Sequence, residues 1–167
     1  KIFRVQILYL FIKNQLKKYH PSNIVYILYN KGYKNCEKDP YINNTALDLI
    51  DANHNIINHS IKNKHDTILV LEDDFEFDEK IKDKKHSKNI DDFIFENRNK
   101  EFIYYLGALP ILKIPSINKH RRTPYTYGTH SVIYSNSMKK KLLLNKKEQK
   151  DWDGDKVFRY IKEQYIY

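Results

Sequence analysis

Apolar and polar positions alternate in two different rhythms along this chain, and the change of rhythm marks its elements. Near the start, Val5, Leu8, Tyr9, Ile12 and Leu16 recur at helical spacing, which predicts a packed amphipathic helix. "NIVYILYN", Asn23 to Asn30, is a β-branched and aromatic run that predicts a buried strand. A loop with Gly32 and Pro40 follows. Ala46, Leu49, Ile50, Ile56, Ile57 and Ile61 then return to helical spacing, the clearest helix in the chain. Thr67 to Leu71 predicts a second buried strand, and it drives straight into Glu72, Asp73 and Asp74.

Strand, helix and strand in that order predict a right-handed crossover and a parallel sheet. "KIKDKKHSKN" reads as a solvated charged segment and "IDDFIFENRN" as a short helix. "EFIYYLGALPILKIP" supplies one or two strands, and a basic loop with Arg121 and Arg122 leads to another in "THSVIYSNS". "MKKKLLLNK" and "DKVFRYIKEQY" look like helices. There is no internal repeat and no linker, so the expectation is one α/β domain over residues 1–167, with a mostly parallel central sheet flanked by helices. The chain starts without Met, which leaves room for a longer parent protein.

Composition changes this picture little. The net charge of +9 admits a nucleic acid, an anionic membrane surface or a phosphorylated ligand as partner. The lysines are spread throughout, as the general excess of Lys, Asn and Ile would produce, while the acids gather at one strand end. A nucleic-acid module would instead cluster basic residues beside exposed aromatics. It stays as the alternative from another class. The lone Cys36 cannot form an internal disulfide and fits a reducing compartment. The apolar run Ile7–Ile12 is too short to cross a bilayer, and no small-residue cleavage site follows it, so neither a transmembrane segment nor a signal peptide is expected.

The acids carry the chemistry. In open α/β sheets ligands bind beyond the carboxyl ends of the strands, where Glu72, Asp73 and Asp74 fall. In extended chain Glu72 and Asp74 project to one side and Asp73 to the other. Carboxylates there suit Mg²⁺ or Mn²⁺ bridging to substrate phosphates. The phosphatase pattern D-x-D-x-[TV] is not met, because Asp73 is followed by Asp74, Phe75 and Glu76. A metal-dependent nuclease would want a further Lys or carboxylate that the pattern does not identify. His54, His59 and His65 lack zinc-site spacing and read as surface or core-edge residues. Trp152 admits a sugar-stacking or a core role, and the Arg121–Arg122 pair reads as part of a solvated loop.

"ILVLEDDFEF" resembles the Asp-x-Asp-type motif of GT-A glycosyltransferases, most closely the "VLEDD" form of family 25, which includes lipopolysaccharide-biosynthesis and procollagen galactosyltransferases. "VYILYNKGY" is similar to that family's opening strand, and "YYLG", Tyr104 to Gly107, to the strand after its acidic motif. Gly128, Thr129, His130 and Ser135 match its Gly-Thr-His-Ala segment, with Ser131 in place of Ala. "DWDGDKVF" loosely matches a later Asp-containing element, so the similarity runs from about Asn23 to Phe158. The helix before the acids lacks the family's Gly-Cys and Ser-His pattern, and family members usually carry a longer N-terminal half.

The resemblance implies a GT-A-like, Rossmann-like fold and transfer of a hexose from a nucleotide-sugar, with UDP-sugar the expected donor. The hydroxyl acceptor would be a glycan, a lipid-linked glycan or a protein. Asp74 would coordinate Mn²⁺ or Mg²⁺, with Glu72 on the metal through water or on the donor ribose and Asp73 on the donor side. Tyr29 and Asn30 would lie beside the nucleotide, and Gly128, Thr129 and His130 would line the sugar and acceptor side. Asp153 and Asp155 are the candidates for the catalytic base in an inverting reaction. The expected compartment is the cytoplasm, free or peripheral to a membrane, and no nucleic acid is expected. A catalytically inactive glycosyltransferase-like protein is the second alternative.

Overall fold

The computed structural model describes residues 2–21, 23–112, 120–122, 125–144 and 164–166. Helix α1 spans Ile2–Tyr19, α2 Thr45–Lys62, α3 Lys84–Asn97 and α4 Asn136–Leu144. Strands are β1 (Ile68–Leu71), β2 (Ile103–Leu112), β3 (Arg121–Arg122), β4 (Tyr125–Tyr134) and β5 (Gln164–Ile166), and a 3-10 turn spans Glu79–Lys82. The clear periodicity of α2 is matched by a defined start: Asn44, in extended backbone, accepts a hydrogen bond from the Leu47 N–H at 2.9 Å. α3 begins earlier than its apolar residues suggest. Asp83 caps it by accepting from the Lys85 N–H at 2.8 Å, which draws part of the charged segment into the helix.

The strands form one sheet in the order β1-β4-β2-β5-β3. β4 lies between β1 and β2 and runs antiparallel to both, β3 and β5 are antiparallel, and only β2 and β5 pair in parallel. The mixed α/β class is therefore observed, but the mostly parallel sheet expected from the sequence is not what the described strands make. The reason lies in one segment: among the described residues Ile24 to Asn30 stands outside every ladder, exposed rather than buried, so the described strands form no strand-helix-strand unit before β1. A second correction concerns Gln164 and Tyr165. Helical spacing places them in a helix, yet in strand β5 they pair in parallel with Ile103 and Tyr104 of β2, and Tyr165 also pairs with Arg122 of β3.

Alternation along the strands divides the core into two layers. Val70, Ile103, Tyr105, Val132 and Tyr134 face α2 and α4, where Ile50, Ile57, Met138 and Leu142 complete a buried cluster. Phe102, Tyr104 and Ile133 face α3 and meet Phe93, whose ring stacks on Tyr104 at 4.5 Å between centroids. The first layer also buries a lysine. Lys139 Nζ donates to Ser60 Oγ at 2.7 Å and to the carbonyl of His65, tying α4 to the end of α2, and burial pulls its pKa down. α1 meets the loop after the acids through Gln15 Oε1, which accepts from the Phe77 N–H at 3.3 Å, and through Tyr19 on the Phe77 ring. Among the described residues no helix is long and apolar enough to cross a membrane.

Candidate metal centre

The β1/β4 ladder aligns Ile68 with Tyr134 and Leu71 with Ser131 without a break. It continues one step further, where the Glu72 N–H donates to the His130 carbonyl at 3.1 Å. The chain then leaves the strand direction. Asp73 and Asp74 form a turn, with the Phe75 N–H returning to the Glu72 carbonyl at 3.3 Å. Phe75 anchors the turn by being buried, with its ring edge-on to Phe77 at 5.0 Å. The expectation that Glu72 and Asp74 share a side because the chain is extended is corrected in its cause: the turn brings them together.

His130 reaches across from β4. Its Nδ1 lies 3.2 Å from Asp74 Oδ1 and 3.6 Å from Glu72 Oε2. Glu72, Asp74 and His130 each offer a ligand atom, and these atoms lie within 4.8 Å of one another. Glu72 is half-buried, while Asp74 and His130 are exposed. Two carboxylate oxygens and one imidazole nitrogen at an open position form a donor set that fits a divalent cation. The resemblance assigns His130 to the sugar side. The fold places it in contact with both acids.

The other expected residues fall into separate places. Asp73 is exposed on the same turn, and Gly128 and Thr129 lead along β4 into His130. Tyr29 and Asn30 lie in the exposed segment before α2, and the Asn30 carboxamide oxygen accepts from Lys38 Nζ at 2.7 Å and the Gly32 N–H at 3.4 Å. Asp153, Asp155 and Trp152 lie outside the described residues. His54, expected at the surface or core edge, is buried on α2.

A network that the sequence reading missed surrounds Lys38. Its Nζ lies 2.5 Å from Asp48 Oδ1 and 3.0 Å from Asp51 Oδ2, and the Tyr33 N–H donates to Asp48 Oδ2 at 3.2 Å. Burial works to raise the Asp48 carboxyl, but the hydrogen bonds from Lys38, Tyr33 and Asn30 outweigh it and hold the pKa below its ordinary value. Burial likewise works to lower Lys38, and its two carboxylate partners outweigh that and raise it. The available signal was the spacing of Asp48 and Asp51, three residues apart on one helical face.

No protein-family profile matches the chain, and no curated protein matches it.

Proposed function

We propose that this chain is a metal-dependent glycosyltransferase of the GT-A kind, moving a hexose from a nucleotide-diphosphate sugar to a hydroxyl acceptor with inversion. The observation that carries the reading is the meeting of Glu72 and Asp74, in the stretch that resembles the family's acidic motif, with His130 of β4 at the carboxyl end of β1. Glu72, Asp74 and His130 would hold the Mn²⁺ or Mg²⁺, and its charge would offset the negative charge that collects on the departing nucleoside diphosphate. An imidazole among the ligands favours Mn²⁺, since Mg²⁺ is held mainly by oxygen.

The chain's own groups have separable tasks in this reading. The Glu72 N–H bond to the His130 carbonyl keeps the two ligand-bearing segments in fixed register. Asp73, beside them on the turn, contributes to the donor side. Gly128 and Thr129, which precede His130 in the chain, serve the sugar side, as the resemblance implies. Asp153 or Asp155 takes the acceptor hydroxyl proton as that oxygen attacks the anomeric carbon, an assignment resting on the sequence alone. Tyr29 and Asn30 serve the nucleotide only if the segment that carries them comes to the end of β1.

The test is calorimetry of UDP- and GDP-sugars with and without Mn²⁺, on the wild type and Asp74→Ala. The expected result is Mn²⁺-dependent binding of one donor that falls at least about tenfold in Asp74→Ala at an unchanged melting temperature. Equal donor affinity in the variant refutes the assignment. Mn²⁺ binding with no donor binding points to an inactive relative, and binding of oligonucleotides alone moves the reading to the basic surface.

A further inference from the structure

Two of the three candidate ligands are held by the sheet. His130 belongs to β4, and the Glu72 N–H continues the β1/β4 ladder onto the His130 carbonyl. Asp74 lies beyond that ladder, on the turn, and residues 75–78 after it belong to no helix or strand. A ligand on such a segment is only as well placed as the bonds that tie the segment down.

α1 supplies such bonds. Gln15, Lys18 and Tyr19 stand at i, i+3 and i+4, so one face of the helix carries all three. That face meets the segment after the acids. Gln15 Oε1 accepts from the Phe77 N–H at 3.3 Å, and the Tyr19 ring lies 5.2 Å from that of Phe77. Phe77 in turn meets the buried Phe75, the residue next to Asp74. Further out, the Tyr19 hydroxyl donates to Glu79 Oε1 at 2.9 Å, and Lys18 Nζ lies 2.6 Å from the same oxygen. The bonds from Lys18, Lys82 and Tyr19 hold the Glu79 carboxyl down at about 2, so this outer anchor keeps its charge throughout the neutral range.

Gln15 is the unexpected member. By spacing it falls in line with Leu8 and Ile12 on the apolar side of α1, and it is buried at 9% exposure. A buried amide costs free energy unless a partner meets it, and the Phe77 N–H is that partner.

We propose that Gln15 is a positioning residue of the metal centre: by holding the Phe77 amide it fixes the chain that leaves Asp74, and so the place of that carboxylate beside Glu72 and His130. This role rests on the metal-binding reading of Glu72, Asp74 and His130. It adds that a helix outside the sheet, 62 residues upstream at its point of contact, sets the affinity for the cation.

The test uses the whole chain and two variants. Gln15→Met removes the acceptor at the same side-chain length, whereas Gln15→Glu keeps an oxygen in its place. Mn²⁺ binding is followed by electron paramagnetic resonance of the free ion, and amide hydrogen exchange is measured without metal. Gln15→Met should weaken Mn²⁺ binding about tenfold, the low end for partners that orient metal ligands, and Gln15→Glu should restore it to within about threefold of wild type. In the metal-free Gln15→Met protein the Phe77 amide should exchange at least about tenfold faster than in wild type. So should the Phe75 amide, whose bond to the Glu72 carbonyl closes the acidic turn. Unchanged Mn²⁺ affinity in Gln15→Met, with binding lost in Asp74→Ala, overturns the role of Gln15 and leaves the metal centre standing. Equal losses in the Met and Glu variants, or unaltered exchange at Phe75, overturn it as well. A wild type that binds no Mn²⁺ refutes the metal centre and the role of Gln15 with it.

Discussion

Replacing Lys38 by Met removes the cation between Asp48 and Asp51 while keeping the length of the apolar stem. The three side chains are 12–14% exposed, so the two carboxylates are left facing each other in a largely dry site. Removing one partner of a buried ion pair costs about 3–5 kcal/mol. The Tyr33 N–H still holds Asp48, and the residual exposure admits some water, so the lower end, about 3 kcal/mol, is expected. For a domain of this size that is a fall in Tm of roughly 6–12 °C at pH 7.

The pH dependence gives the sharper check. The folded Asp48 pKa is lowered, so its contribution is present above the unfolded carboxyl value and is lost as pH falls through the folded one. The folded Lys38 pKa is raised, so its contribution is present below 10.5 and is lost as pH rises through the folded value. Wild-type stability from this network is therefore flat between those limits. In Lys38→Met burial acts on Asp48 without its cation and lifts its pKa, so taking up a proton relieves the variant as pH falls from about 7 to about 4. The gap between the two melting curves, followed by circular dichroism, should narrow by about half over that range. A gap under about 2 °C at pH 7, or one independent of pH, refutes the account.

Phe93→Ala should cost about 3–5 kcal/mol in urea unfolding, because Phe93 is buried between Tyr104 and Phe102 and a cluster of rigid rings collapses poorly into the space. A loss under about 1 kcal/mol would mean that the α3 layer is not packed as described. Asn44→Ala should cost about 1 kcal/mol and Asn44→Ser much less, since the serine can still accept from the Leu47 N–H; equal losses would show that the cap bond does not matter.

Much of the framework was legible because its signals are local. The spacing of Ile50, Ile57 and Ile61 can only form one helical stripe, and α2 follows it. "ILVL" and "SVIY" are β-branched runs that pair with each other as β1 and β4. The segment Ile24–Asn30 has the same composition and yet lies outside the sheet. Composition states that a run suits a strand, while pairing depends on which edge is available. Gln164 and Tyr165 failed in the opposite sense, their helical spacing overridden by a place beside β2. The acids at the end of β1 were found from their position after an apolar run. His130 as their partner needed the β1/β4 register, which no local pattern prints. Lys139 was invisible for the same reason: a lysine within a run of three gives no sign that it is the buried one.

The irregularities of β4 are one-sided. Its pairing with β2 shifts around Gly107 and again near Pro110, whereas its pairing with β1 runs unbroken to the Glu72–His130 bond. The strand absorbs its misfit on one flank and keeps the other true, and a slip of a single residue there would turn His130 to the opposite face. His130 and Asp74 stand 56 residues apart in sequence. A cation gripped by both would thus be a clasp across the assembled sheet. Such a cation would find its third donor, His130, only once β1 and β4 are paired, so the part of its affinity that depends on His130 would add to the cohesion of the two strands. Metal capture and the seating of that strand would then be coupled parts of one equilibrium.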